Sequence, residues 1–253
     1  MLAPERQKFI MDEMHKDGAV TVSRLATELN VTEETIRRDL EKLEKQEALR
    51  RTHGGAVPID GTTYELSLEK RKSTNVEQKQ KIASIAANFV FSGDTIFLDA
   101  STTTFFLAKE LKKLKNITII TNSLRVVAEL SSCEHIKLIA VGGIVSSNQS
   151  FVGSLAEKSI KDCYFANKMF FSAKGVTKEI GILESNEQEC GIKQNMLINS
   201  ENKYFLCDSA KFGRVSFAKL ASLGDIDYLI TEKEPDEEFM SALEDNNVKV
   251  VTQ

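Results

Sequence analysis

From residue 95 onward the chain repeats one pattern: a short apolar run, a polar or glycine-rich turn, then a helix-forming stretch. Apolar runs fall at 95–99, 117–121, 137–141, 168–172, 203–207, 227–230 and 248–251. Helix-forming segments fall near 103–113, 123–131, 154–162, 187–200 and 236–246. Strands that are apolar at nearly every position have both faces buried, and strands separated by helices join in parallel. The pattern therefore predicts an α/β domain, with a mostly parallel sheet and helices on both faces. It contains no short-period repeat and no low-complexity tract.

The first 57 residues follow a different rule. Phe9, Ile10 and Met14 recur at helical spacing over 4–16, with Pro4 in the first turn and Gly18 as the stop. A short extended piece at 19–22 leads to a second helix over 23–29, then a turn at Asn30-Val31. Thr32 caps a third helix reaching Lys45, with Glu33 and Glu34 where the helix dipole favours anions. Its inner stripe is Ile36, Leu40 and Leu43. Two short strands, 49–52 and 56–57, flank His53-Gly54-Gly55. This is the order of a winged helix-turn-helix. With Ile36 inward, Arg38 and Lys45 point outward, flanked by Glu34, Thr35, Arg37 and Lys42. Such a face enters a major groove, where Arg reads guanine and Thr touches a thymine methyl. An Arg pair on a helix is also commonly just a solvated charged face. The reading needs both guanidinium groups free to reach DNA.

Bulk charge does not carry the case for DNA. The whole chain is −4, and residues 1–57 hold ten Lys and Arg against eleven Asp and Glu, or −1. Residues 37–53 hold six against four, or +2, so the cationic footprint is local. The chain has 42% hydrophobic and 28% charged residues and three Pro, an ordinary globular balance. Its opening MLAPERQKFI lacks an apolar signal core, and no run reaches the ~20 apolar residues of a membrane span. A cytoplasmic protein without membrane attachment is expected. Cys133, Cys163, Cys190 and Cys207 are scattered, as are His15, His53 and His135, so reduced thiols and no metal site or cofactor are expected. Residues 58–75, with Pro58 and Gly61, are expected as a linker, and 76–253 as the second domain. Asn75, with Gln78 three residues on, is expected to cap a helix over 77–91.

In the second domain, three successive strand ends carry polar or glycine-rich turns: Asp99-Ala100-Ser101-Thr102-Thr103-Thr104, Thr121-Asn122-Ser123 and Gly142-Gly143. Hydroxyls and N–H groups at a helix N-terminus suit an anion, although a hydroxyl-rich N-cap looks the same. Open α/β sheets bind ligands outside their strand C-termini. Asp99 is the only carboxylate that the spacing places there.

The runs Val22-Ser23-Arg24-Leu25-Ala26, Thr35-Ile36-Arg37-Arg38-Asp39-Leu40 and His53-Gly54-Gly55-Ala56 closely resemble the DNA-binding domain of DeoR/GlpR-type regulators. The resemblance implies a recognition helix and wing, with Thr35, Arg37, Arg38, Lys42, Arg51 and His53 on double-stranded operator DNA. It extends through D-x-S-T-T, T-N-S, V-G-G, Phe151-Val152-Gly153 and Asp208–Phe212, which resemble the family's sensor domain. That domain is related in fold to ribose-5-phosphate isomerase and glucosamine-6-phosphate deaminase, and binds a phosphorylated sugar. The implied effector residues are Asp99, Ser101, Thr102, Thr103, Asn122, Ser123, Gly142, Gly143, Gly153 and Lys211, with Lys174 as a second cation. Many members carry an Asp where this chain has Asn167, and a neutral residue where it has Lys174. That departure points to a deoxy-sugar subgroup, such as rhamnose or fucose. The expected function is a repressor of a carbohydrate-catabolism operon, acting as a homodimer or homotetramer and relieved by a sugar phosphate. The alternative is a sugar-phosphate isomerase or deaminase carrying an added domain. That chemistry needs a positioned base, and no His accompanies Asp99.

Overall fold

A computed structural model describes residues 1–58 and 66–253, apart from the side chains of His15, Lys16 and Pro58. The chain divides into two compact units, 1–70 and 71–253. Of the expected linker, residues 59–65 lie outside the described residues.

The first unit contains α1 (Ala3–Asp17), β1 (Val20–Thr21), α2 (Val22–Glu28), α3 (Glu33–Lys45), β2 (Leu49–Thr52) and β3 (Gly55–Pro58). Gly18 ends α1 in the left-handed region at φ 72°, its N–H donating to Met14. Thr32 caps α3, accepting from the Thr35 N–H at 3.2 Å. Ile36, Leu40 and Leu43 are buried with Ile10, Met14, Leu25 and Leu49 in one core. Full burial of such side chains stabilises by about 1.5–3 kcal/mol each. The antiparallel sheet runs β1-β3-β2. Thr21 pairs Gly55, where an added Cβ would lie 1.9 Å from the Val20 carbonyl oxygen. The second glycine of His53-Gly54-Gly55 is thus required for β1 to approach the wing.

Asp39 departs from the expected pattern, being buried although charged. Arg6 of α1 forms a short ion pair with its Oδ2, and Gln7 Nε2 donates to its Oδ1 at 3.0 Å. The carboxylate therefore fastens α1 to α3.

The second unit opens with α4 (Leu68–Ser73), which begins in the first unit, and α5 (Val76–Ala87). There follow β4 (Thr95–Leu98), α6 (Thr102–Leu111), β5 (Ile117–Thr121), α7 (Leu124–Leu130), β6 (Ile136–Ala140), β7 (Ile144–Val145), β8 (Phe151–Val152), α8 (Ser154–Cys163) and β9 (Ala166–Phe171). The chain continues through β10 (Gly175–Thr177), β11 (Gly181–Glu184), α9 (Glu187–Ile198), β12 (Ser200–Leu206), β13 (Ala218–Ala221), β14 (Tyr228–Ile230), α10 (Glu237–Asp245) and β15 (Lys249–Val251). Seven strands form one parallel sheet in the order β15-β14-β12-β9-β4-β5-β6. Each corresponds to one of the seven apolar runs.

Alternation along each strand divides the interior into two layers. Phe97, Met169, Phe171 and Phe205 pack with α8, α9 and α10 on one face. Ile96, Leu98, Phe170, Tyr204 and Leu206 pack with α5, α6 and α7 on the other. Phe170, Tyr204 and Tyr228 occupy matched registers on β9, β12 and β14, with successive ring centroids 4.6 Å apart.

Four features differ from expectation. The region expected as linker contains α4, whose six residues are too short for periodicity to register. Asn75 does not cap α5: at φ 51° its side chain makes no cap bond and donates instead to Asp208 Oδ1 at 2.9 Å. A three-stranded antiparallel sheet, β10-β11-β13, and the β7-β8 hairpin add to the main sheet. Their two- to four-residue strands carry too little alternation to be read.

Candidate functional site

The outward face of α3 carries exposed Arg37, Arg38 and Lys42, with half-buried Thr35 at its start. Arg51 and His53 are exposed on the β2-β3 wing. A cleft of about 220 Å³ lies between them, lined by Ser23, Arg37, Arg51, His53 and Gly54 among others. The Arg51 N–H donates to Glu44 Oε1 at 2.9 Å, tying the wing to α3.

The two arginines are not free, contrary to expectation. Arg37 pairs with Glu33 at 2.5 Å and Arg38 with Glu34 at 3.1 Å. The four-residue spacing was legible in the sequence and is the signal for such pairs. Both pairs lie in solvent, with the Arg38 side chain 77% exposed. Exposed helix pairs contribute about 0.3–0.5 kcal/mol, against about 1–3 kcal/mol for a good base contact. The pairs orient the guanidinium groups and are weak enough for a stronger acceptor to displace them.

In the second unit the chain runs from β4 through β5 to β6, then returns to the other side of β4 as β9. The ends of β4 and β9 thus flank the point where strand order reverses, where open α/β sheets leave a ligand crevice. Ser101 caps α6 there, accepting from the Thr104 N–H at 3.2 Å, and Ser123 caps α7, accepting from the Val126 N–H at 3.3 Å. Thr102 and Thr103 are buried in the first turn of α6. Thr103 Oγ1 and Asn122 Oδ1 are buried without a hydrogen-bond partner among the described residues, an uncommon state for interior polar atoms.

Asp99 is fully buried rather than presented at the strand-end surface. Its Oδ1 accepts from the Ser101 N–H at 3.1 Å and the Thr104 hydroxyl at 2.7 Å. Its Oδ2 accepts from the Ser172 N–H at 3.2 Å and lies 3.1 Å from Lys193 Nζ. Lys193 also pairs with Glu184 at 2.5 Å and donates to the Ser172 carbonyl at 2.8 Å. Burial penalises the ammonium, but Glu184, Asp99 and Glu189 outweigh that and hold it above the usual lysine range. Glu189 accepts a short hydrogen bond from Ser150, and burial pushes its carboxyl up.

Asp99 is therefore not the only carboxylate here, as the spacing had suggested. Folding adds Glu184, Glu189 and Asp208, which lie 85 or more residues further along the chain. Lys193, Ser150 and Ser172 were likewise missed. Lys193 carries no distinct sequence signal, because α9 also holds Glu187, Gln188, Glu189, Gln194 and Asn195.

Lys211 Nζ donates to Ser172 Oγ at 2.7 Å and lies 3.5 Å from Asp208. Burial raises the Asp208 carboxyl, but Lys211 and the Asn75 amide outweigh it and hold the group below the usual carboxylate range. The structure thus joins Asp99, Ser101 and Lys211 in one network, with Asn122 and Ser123 at the neighbouring strand end. Gly142, at φ 69°, faces open space, whereas a Cβ on Gly143 would lie 2.8 Å from the Val152 carbonyl oxygen. Packing alone accounts for the second glycine. Gly153, at φ 90°, stands at the N-cap of α8. Lys174 is half-buried and bonds through its N–H to the Leu183 carbonyl at 3.0 Å.

Comparison with known proteins matches both units. Residues 6–62 match the DeoR-like helix-turn-helix domain and residues 74–233 the DeoR C terminal sensor domain. The chain belongs to the DeoR family. This DeoR-family protein is 44% identical to the uncharacterized HTH-type transcriptional regulator YulB of Bacillus subtilis (strain 168), over 99% of this chain and 96% of that one. It is 34% identical to the HTH-type transcriptional repressor GlcR of the same organism, over 99% and 96%. It is 32% identical to the L-fucose operon activator of Haemophilus influenzae (strain ATCC 51907 / DSM 11121 / KW20 / Rd), over 97% and 98%. A ribose 5-phosphate isomerase from Methanocaldococcus jannaschii is similar over 56% of each chain, with 18% identity and a TM-score of 0.42. The protein is a DNA-binding transcriptional regulator, and the enzyme alternative falls away. Among the described residues no helix is long and apolar enough to cross a membrane.

Proposed function

We propose that this regulator represses a carbohydrate-catabolism operon and is relieved when a phosphorylated sugar binds at the strand ends of residues 76–253. Residues 1–57 grip double-stranded operator DNA through Thr35, Arg37, Arg38 and Lys42 of α3, with Arg51 and His53 on the wing. Operators of winged helix-turn-helix proteins are commonly two-fold, so the working form is a cytoplasmic homodimer or homotetramer. The observation that carries the effector reading is the pair of buried, unpartnered atoms, Thr103 Oγ1 and Asn122 Oδ1. They stand at adjacent strand ends, as a polar ligand requires. Lys211 supplies a point charge for the phosphate, and Lys174 and Gly153 complete the rim. Relatives named for a sugar operon, such as the L-fucose operon activator, favour this effector class, and deoxy-sugar phosphates are the candidates to try first.

The test is to select genomic DNA fragments on the purified protein and titrate phosphorylated sugars against the bound fragment by fluorescence anisotropy. Coupling of about 1–3 kcal/mol changes affinity 5- to 150-fold. A panel of phosphorylated sugars in which none weakens binding by fivefold defeats the effector reading. A sugar phosphate that tightens binding defeats the assignment as a repressor relieved by its ligand.

A further inference from the structure

β6 (Ile136–Ala140) ends the main sheet, with β5 as its one neighbouring strand among the described residues. Bonds on either side of it fix which backbone groups face outward. The His135 carbonyl accepts from the Asn116 N–H, and the Val141 N–H donates to the Thr121 carbonyl. Odd-numbered residues therefore bond toward β5, and Ile136, Leu138 and Ala140 turn their N–H and C=O groups away from it. Ile136 donates to the Cys133 carbonyl, whereas Leu138 and Ala140 face past the end of the sheet. Natural edge strands are blunted by charges, proline or bulges; β6 has Lys137 as its single charge and no proline.

α7 continues this edge on one face of the sheet. α6 joins β4 to β5 and α7 joins β5 to β6, both packed on the same layer. The charged residues of α7 turn toward α6: Arg125 stacks 3.9 Å from the Phe105 ring centroid, and Glu129 pairs with Lys112 at 2.5 Å. Val126 and Leu130 are buried beneath. The flank turned away from α6 looks out over the free edge of β6 and holds Leu124, Val127, Ala128 and Ser131, half-buried or exposed and without a charge. In a chain that is 28% charged, such an uncharged strip marks an interaction surface. β7 follows four residues after Ala140 and adds Ile144 and Val145, 68% and 54% exposed.

We propose that two copies of the chain join along this edge, β6 running antiparallel to β6 of the second copy with α7 packed beside its counterpart. This rests on the reading of the working form as an oligomer and names its surface. A second copy is the occupant because antiparallel pairing of a strand with itself is two-fold, closes at two chains and matches a two-fold operator. Leu138 lies on the axis and exchanges both N–H···O bonds with its counterpart, and Ala140 stands opposite Ile136. That register sets Lys137 opposite Ile139, so the two like charges do not face each other. A strand about 17 Å long, a helix layer about 10 Å across and the hairpin beyond offer on the order of 500 Å² per copy. Two copies then bury on the order of 1,000 Å², the lower limit for a specific interface, so the dimer is reversible and depends on concentration.

The test is sedimentation equilibrium of the full chain across the micromolar range, with Ala140→Pro and Ala128→Glu. The Ala140 N–H points away from β5, so proline there removes a bond to the second copy and none within the sheet. Ala128 is exposed on α7, where Glu is well tolerated. Each variant requires at least tenfold more protein to dimerise than the wild type. Ile198→Glu, 77% exposed at the end of α9, dimerises as the wild type does. Hydrogen exchange of the wild type covers a variant that fails to fold. Amides across 136–140 slow as concentration rises through the dimer range, and those across 249–251, at the opposite edge of the sheet, do not. Either variant dimerising within threefold of the wild type, or exchange across 136–140 that ignores concentration, overturns the proposal and leaves the oligomer reading standing. A wild type monomeric across the range also overturns it, and monomers that bind the operator singly remove the oligomer reading as well.

Discussion

Arg38 and Asp39 are neighbours on α3 with opposite tasks, so replacing each by alanine separates affinity from stability. Arg38→Ala removes a side chain 77% exposed whose partner Glu34 is also in solvent. The lost pair is worth about 0.3–0.5 kcal/mol, a shift of no more than about 4 °C in a unit of this size. The same change removes the proposed groove contact, worth about 1–3 kcal/mol, or roughly 5- to 150-fold in operator affinity. Asp39→Ala strands the Arg6 guanidinium, 11% exposed, and takes the acceptor from Gln7. Breaking a buried pair from one side costs about 3–5 kcal/mol. Because Arg6 keeps some contact with water, the lower end applies, and about 3 kcal/mol lowers melting by roughly 12 °C or more. Calorimetry of the full chain reads stability, and anisotropy with the selected operator reads affinity. Equal melting losses in the two variants, or Arg38→Ala binding within twofold of wild type, would refute this division of labour.

Lys193→Met leaves Asp99 and Glu184 buried without their shared cation, and should cost about 3–5 kcal/mol in urea unfolding. Adding Glu184→Gln should recover part of that loss, and an unchanged urea midpoint would rule out the buried network as a stabilising element. Gly55→Ala places a Cβ 1.9 Å from the Val20 carbonyl oxygen, so the wing must part from β1. Operator affinity should fall while stabilisation by a phosphorylated sugar persists; wild-type DNA binding would contradict the close approach. Asp208 is held below its ordinary value of 3.8, so the folded state binds fewer protons than the unfolded chain there. Its stabilising contribution is complete above about pH 4 and fades as pH falls through the lower folded value, and Asp208→Asn should flatten that acid limb. Lys79, lowered by burial to about 8 from 10.5, also binds fewer protons when folded. Stability should therefore rise between those two pH values, and the rise should vanish in Lys79→Met.

Much of the scaffold was legible because it rests on local rules. The seven apolar runs became seven parallel strands, since a strand buried on both faces needs apolar residues at consecutive positions. Thr32, Ser101 and Ser123 cap helices because their hydroxyls meet N–H groups three residues ahead. Asn75 shows the limit of such rules. Its spacing to Gln78 matches a capping box, yet its left-handed backbone turns the amide to Asp208, a partner 133 residues away. The hydroxyl-rich strand ends were visible, but the carboxylates and lysine around Asp99 were not, because Glu184 arrives on β11 and Glu189 and Lys193 on α9, far along the chain.

The sequence alone determined where the longer helices and the seven strands of the main sheet form, which faces they bury, and that the first unit presents a cationic helix beside a glycine-dependent wing. Hydrogen bonding and apolar periodicity act over a few residues, so these features are written locally. Only the tertiary structure decided the partner of each buried charge: Asp39 with Arg6, Asp99 with Lys193, Asp208 with Asn75 and Lys211. A charge is stable in the interior only beside its complement, and apart from the local pair of Asp208 and Lys211, helix packing and strand order decide which complement arrives.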